Sequence, residues 1–209
     1  MPTQLISKEV LITRIANQGD ERRCIVAIAG PPGSGKSTFA EKLEAGLNAR
    51  SPGSAAILPM DGYHFDDMVL VPRGLRPRKG APETFDVAGF LHMITRLRRN
   101  VEEEIAVPVF DRSLEIARAG ARLIPRSVRT LIVEGNYLLL NKAPWNELDY
   151  DITLMIDPER DVLKTRLLRR WLDLGMGSAE ACTKVDDNDM INVDLVKNNS
   201  RSADFLIAN

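Results

Sequence analysis

Cysteine and histidine are scarce in this chain, with two of each among 209 residues. Cys24 and Cys182 lie far apart and form no CxxC pair. This spacing is neither a disulfide framework nor a zinc module, and it suits a reducing compartment. His64 has no second histidine or cysteine at ligand spacing, so it reads as a hydrogen-bonding residue and not as a metal ligand. Charge of one sign is missing too: 28 basic residues face 29 acidic ones, and the isoelectric point is near 6.2. That balance argues against broad binding to nucleic acid or to a membrane surface. No run of about 18 apolar residues is present, so no membrane insertion is expected. The opening stretch MPTQLISKEVLITRIANQ places Lys8, Glu9 and Arg14 among its apolar residues and lacks the core of a signal peptide. The expected location is cytoplasmic.

What is present is ordinary for a globular protein: 44% hydrophobic and 27% charged residues. A chain of this size buries roughly 70% of its unfolded surface and needs no staple. One domain spanning 1–209 is expected.

Along the chain, residues 4–17 carry helix-spaced Leu5, Val10, Leu11 and Ile15, with Gly19 as a stop, so 1–19 reads as an N-terminal helical segment. Residues 24–29 form a continuous apolar run, as in a buried parallel strand. A helical pattern covers 39–49, and 55–60 is a second strand. Residues 66–82 hold Pro72, Gly74, Pro77, Gly80 and Pro82 with Arg73, Arg76, Arg78 and Lys79, which reads as a basic loop. Further on come a helix over 86–99, a short strand over 107–110, strands over 130–133 and 151–156, and a helix over 157–174. Gly175 stops that helix, residues 179–199 read as another, and 205–208 as a last strand. Strands alternating with helices predict an α/β fold, a doubly wound and mostly parallel sheet with helices on both faces. The helical region 160–180 is placed to form a small lid.

Gly30-Pro-Pro-Gly-Ser-Gly-Lys-Ser-Thr38 fits the phosphate-loop pattern GxxxxGK[ST]. At ordinary residue frequencies this pattern turns up by chance in roughly one chain of this length in a hundred. Here an apolar strand runs into it and a helix leaves it. Gly30, Gly33, Ser34, Gly35, Lys36, Ser37 and Thr38 are the expected ATP-binding residues. The glycines let backbone N–H groups converge on phosphate oxygens. Lys36 reaches the β- and γ-phosphates, Ser37 ligates Mg²⁺, and the helix N-terminus adds its dipole.

Phosphoryl transfer needs more than a phosphate loop. Asp61 follows a strand at its carboxyl end, where ligand groups of open α/β sheets gather, so it is placed to accept a proton from a substrate hydroxyl. As a residue before Gly62 it also fits a plain turn. Glu134 ends the strand before Gly135, near where Mg²⁺ would sit. Arg166, Arg169 and Arg170 share one helix face opposite Leu163, Leu167, Trp171 and Leu174. Such a face either stabilises transferring charge or is a solvated helix side. The basic loop is equally open between gripping an anionic acceptor and lying mobile in solvent. Trp145, Trp171 and His92 read as structural. Asn141-Lys-Ala-Pro144 lacks the aspartate that reads guanine in GTPases, which favours ATP.

Together these residues resemble the uridine kinase, phosphoribulokinase and pantothenate kinase group of P-loop kinases. More narrowly, the chain is similar to small bacterial proteins called fructose transport system kinases. The likeness spans about residues 20–209. It rests on the phosphate loop, Met60-Asp61-Gly62-Tyr63-His64, Arg78-Lys-Gly-Ala-Pro-Glu-Thr-Phe-Asp86, Pro108-Val-Phe-Asp111 and Val133-Glu-Gly-Asn-Tyr137. The resemblance implies that Asp61 is the catalytic base and that Arg166 and Arg170 belong to a lid over the phosphates. It also implies that Phe110 and Asp86 face the acceptor, with Tyr63, His64, Arg78, Lys79 and Arg112 as further acceptor-binding candidates. The chain departs from relatives in one place. Asp111-Arg-Ser-Leu-Glu-Ile-Ala117 contains no histidine where uridine and pantothenate kinases carry one. The expected activity is ATP- and Mg²⁺-dependent phosphorylation of a hydroxyl on a sugar, nucleoside or vitamin precursor. A regulatory ATP-binding protein of a transport system and a nucleoside monophosphate kinase are the alternatives. The expected partner is a small-molecule acceptor and not nucleic acid, and a homodimer is left open.

Overall fold

The computed structural model describes residues 4–17 and 22–207. The proposed helix stop Gly19 and the end of the last strand at Ala208 lie outside them. Strand β1, Gln4–Ile6, precedes helix α1, Lys8–Ala16. The helix therefore starts later than its periodicity suggests. Ser7 sets the start by accepting a hydrogen bond from the backbone N–H of Val10 at 3.3 Å. Strand β2, Cys24–Ala29, is buried throughout and feeds the phosphate loop, from which α2, Lys36–Arg50, departs. Strand β3, Ala55–Pro59, runs into a 3₁₀ turn at Met60–Tyr63.

The expected basic loop carries structure of its own: the short helix α3, Asp67–Leu70, and 3₁₀ turns at Arg76–Arg78 and Pro82–Thr84. Helix α4, Val87–Arg99, follows. Strand β4, Glu104–Asp111, is longer than the 107–110 expected. It pairs antiparallel with β5, Ile116–Pro125, a strand that the sequence pattern did not reveal. The pattern is silent because β5 is largely exposed and has no apolar face to display. Strand β6, Thr130–Gly135, and strand β7, Ile152–Met155, lead to the helical region. That region comprises α5, Arg160–Asp173, α6, Ser178–Lys184, and α7, Met190–Asn199, with a π-helical turn at Val185–Asp189 between the last two. Strand β8, Phe205–Ile207, closes the order.

The main sheet has six parallel strands in the order β1-β8-β7-β2-β6-β3. Side chains of α1 and α2, among them Leu11, Ile15, Leu43 and Leu47, pack with one core cluster. Phe90, Ile94 and Leu97 of α4 and Val196 of α7 pack with another, together with Phe85, Tyr137 and Trp145. Leu163, Leu167, Val185, Met190 and Val193 form a third cluster that holds the α5–α7 region together. The doubly wound α/β fold is the one the sequence predicts. Among the described residues, no helix is long and apolar enough to cross a membrane.

Candidate active site

Three neighbouring strands bring the chemistry together. Ala29 at the end of β2 pairs with Gly135 at the end of β6, and Pro59 at the end of β3 pairs with Glu134. The phosphate loop, Asp61 and Glu134 therefore emerge side by side at the carboxyl edge of the sheet. They open onto a cleft of about 340 Å³. Gly33, Gly35, Lys36, Ser37, Thr38, Asp61, Glu134 and Arg170 line it, as do His64, Lys79 and Arg112.

The phosphate loop turns on Gly35, which caps α2 with φ of 93°, in the left-handed region that disfavours side chains. Lys36 is buried, and its Nζ donates to the carbonyl of Pro31 at 2.9 Å and to Ser34 Oγ at 3.3 Å. Burial lowers its pKa to about 8, against the upward pull of Glu134 and Asp61. Ser37 Oγ donates to Glu134 Oε2 at 3.2 Å. Burial and the nearby Asp61 charge raise the Glu134 carboxyl above its ordinary value. A serine hydroxyl beside a buried, destabilised carboxylate is a donor set that suits a hard divalent cation.

Burial pushes the Asp61 carboxyl up, but His64, Arg112, Lys36 and Arg170 outweigh it and hold the group below its usual value. Arg112 Nη2 donates to Asp61 Oδ2 at 2.8 Å. His64 Nδ1–H donates to the Asp61 carbonyl at 2.8 Å, and burial lowers the imidazole pKa, which favours the neutral ring. That ring lies between Phe85 and Phe110, with centroids at 4.0 and 4.7 Å.

Arg166 donates to the carbonyls of Gly33 at 3.4 Å and Ser34 at 3.5 Å, which ties α5 to the phosphate loop. Arg170 lies 5.7 Å from the Trp171 ring, and burial followed by the Arg112 charge lowers its pKa. The loop cations are mostly spent on structure. Arg76 pairs with Asp67 at 2.6 Å, Arg73 lies over Phe65, and Arg78 donates to Asn188 Oδ1 at 2.8 Å. Lys79 alone of these four lines the cleft, held by Asp67 Oδ1 at 2.8 Å and the Glu115 carbonyl at 2.5 Å.

Like Arg78, the acceptor candidates Tyr63 and Asp86 lie away from this cleft. Tyr63 is buried against Phe90, with ring centroids 4.8 Å apart, because the 3₁₀ turn points it into the core. Asp86 caps α4 by accepting from the N–H of Gly89 at 2.9 Å, and it lines a separate groove of about 380 Å³ with Phe85 and Trp145. Phe110 backs His64 and lines a second groove with Asp61 and Arg112.

The cleft also contains residues that sequence reasoning passed over: Glu115, Gly135, Asn136, Asp189 and Asn192. Trp171 lines it as well, donating Nε1–H to Asp189 Oδ2 at 2.6 Å, whereas Trp145 is buried in the core as expected. Asn136 lies two residues after Glu134, in the same strand-end motif, a signal that was available. Asp189 and Asn192 were hidden because the π turn inserts a residue and rotates the following face. His92 is exposed on α4.

No family model matches the chain. It is 34% identical over 196 residues to a protein of Schizosaccharomyces pombe named "Putative uridine kinase", an alignment covering 90% of this chain and 83% of that one. A pantothenate kinase of Ligilactobacillus salivarius is 29% identical over 153 residues, covering 70% of this chain and 49% of that one. Among solved structures, a "putative fructose transport system kinase" from a Silicibacter species superposes with a TM-score of 0.89 at 37% identity, covering 98% of this chain and all of that one.

Proposed function

This chain belongs to the uridine kinase and pantothenate kinase group of P-loop kinases, and on that premise we propose that its cleft moves the γ-phosphoryl group of ATP to a hydroxyl of a small metabolite. The observation that carries this reading is the position of Asp61. It is a largely buried carboxylate at the end of β3, beside Glu134 and facing the same cleft as Lys36. A phosphate loop alone requires no such residue.

The steps follow from the residues present. Backbone N–H groups of Gly33 to Thr38 cradle the β- and γ-phosphates. Lys36 exchanges its contacts with Pro31 and Ser34 for phosphate oxygens. Ser37 and Glu134 would hold Mg²⁺, which supplies charge neutralisation for the phosphates. Asp61 takes the acceptor's hydroxyl proton as the acceptor oxygen bonds to phosphorus, and the bond to the β-phosphate oxygen breaks with its electron pair leaving on ADP. Arg170 stabilises the transferring charge, and Arg166 holds the lid helix against the loop. A reducing cytoplasm suits Cys24 and Cys182, which carry no disulfide.

The test is ADP release with Mg·ATP against sugars, sugar phosphates, nucleosides, nucleoside monophosphates and hydroxy acids. Asp61→Asn should lower turnover by about 100- to 10,000-fold, the range lost with a general base, while ATP binding by calorimetry stays within about twofold. Full turnover in that variant removes Asp61 from the reaction. A panel that leaves the wild-type enzyme silent overturns the kinase reading itself.

A further inference from the structure

The pairing of Arg112 with Asp61 bears on which acceptor the cleft takes. Arg112 sits at the end of β4, where the chain turns towards β5, and its side chain is 48% exposed while that of Asp61 is 22% exposed. Among the described residues Asp61 is its only ion-pair partner, met through one nitrogen. A guanidinium has five N–H donors, so most of them are unspent. The other cations of the cleft are committed. Lys36 and Arg170 are assigned to the phosphates in the reading above, and Lys79 is held by Asp67 and by the Glu115 carbonyl.

A carboxylate stabilised by a guanidinium is a weaker proton acceptor than a free one. The pair therefore opposes the proton transfer asked of Asp61. Exchange of Arg112 onto another oxyanion would restore the basicity of Asp61 only when an acceptor is present. Without an acceptor, the same pair keeps Asp61 from activating water. Two other acids of the cleft have partners of their own: Asp189 accepts from Trp171 and burial raises its pKa, and Glu134 accepts from Ser37.

We propose that Arg112 guards the base. It pairs with Asp61 in the acceptor-free enzyme and turns to an oxyanion of the acceptor on binding, so that the acceptor is a hydroxylated metabolite bearing a carboxylate or phosphate. The inference rests on the kinase reading above and narrows it. Arg112 acts on the reaction through Asp61 and is in that respect a positioning residue.

Two measurements test it. The first is ADP release without acceptor. Arg112→Ala should raise this idle hydrolysis several-fold, and adding Asp61→Asn should remove the rise. The acid limb of its pH profile should move upward, because one of the charges that hold the Asp61 carboxyl low against burial, alongside His64, Lys36 and Arg170 and opposite Glu134, is gone. Unchanged idle hydrolysis and an unchanged acid limb overturn the guard. The second uses matched acceptors: hydroxy acids with their amides, and sugar phosphates with their free sugars. Turnover should be confined to the charged members, and whether carboxylates or phosphates are used names the source of the oxyanion. Arg112→Ala should raise the acceptor KM tenfold or more while the ATP KM stays within twofold, and Arg112→Lys should recover only part. Equal use of uncharged members, or an unmoved acceptor KM, overturns the inference and leaves the kinase standing. Silence across every member in the wild-type enzyme overturns both.

Discussion

Lys36 is a lysine held in a place that disfavours its charge. Its ammonium is buried and satisfied only by a carbonyl and a hydroxyl of its own loop, and its pKa falls to about 8. Phosphate oxygens favour the charged form and must raise that pKa when they arrive. The sign follows directly. Below pH 8 the lysine is already protonated and ATP binds at full strength. Above it, binding must first bring in a proton, so affinity declines as pH climbs. At pH 8, calorimetry in buffers of different ionisation enthalpy should show uptake of part of a proton per ATP bound. The uptake should vanish near pH 6.5 and in Lys36→Met. Uptake that persists in the variant would assign the proton to another group. This residue was legible in the sequence because the phosphate loop is a local constraint, with all its parts within nine residues. Arg112 was legible only as a candidate, since its partner Asp61 lies 51 residues away and only the fold joins them.

The β4–β5 hairpin is the element that the sequence showed least and that the site depends on most. Its exposed strand offers no alternating apolar face, and its role is set by contact with the 3₁₀ turn after β3. That contact runs through Gly62, where an added Cβ would lie 2.5 Å from the carbonyl oxygen of Pro108. Backbone cannot yield there without shifting the hairpin, and with it Phe110 and Arg112. Gly62→Ala should therefore cost about 1–3 kcal/mol of stability, the range for overpacking, and raise the acceptor KM while leaving ATP affinity intact. Asp86→Ala is the contrasting case. It should lose about 1 kcal/mol with the helix cap and leave both KM values alone, because Asp86 faces a different groove. Denaturant midpoints and steady-state kinetics on the two variants separate the outcomes. An unmoved acceptor KM in Gly62→Ala would detach the hairpin from the acceptor side. The same logic explains why the buried parallel strands β2, β3, β6 and β7 were readable, while β1, exposed at two of its three residues, was read as helix and part of the cleft was missed. Buried strands announce themselves by continuous apolar runs. Asp189 and Asn192 reach the cleft past a π turn that leaves no periodic trace, whereas Lys79, expected among the acceptor residues, reaches it from the loop latched by Asn188.

At the scale of the molecule, the cleft joins regions with separate cores. The phosphate loop grows from the sheet, α5 belongs to the α5–α7 cluster, and the two meet where Leu167 lies against Gly33 and Arg166 donates to carbonyls of the loop. A nucleotide bound between them should stabilise the whole fold, since it binds the native chain and not the unfolded one. At a ligand concentration of 100 Kd the gain is about 2.7 kcal/mol. For a chain of this length each kcal/mol moves the melting temperature by about 2–4 °C, so Mg·ATP should raise Tm by about 5–10 °C. The shift should be the same in Asp61→Asn, which lacks only the base. It should be strongly reduced in Lys36→Ala, which lacks the charge that meets the phosphates. Scanning calorimetry on the three proteins reads all of this without knowledge of the acceptor. An equal shift in Lys36→Ala would place the nucleotide away from the phosphate loop. A reduced shift in Asp61→Asn would mean that Asp61 helps to bind the nucleotide and is not reserved for the acceptor.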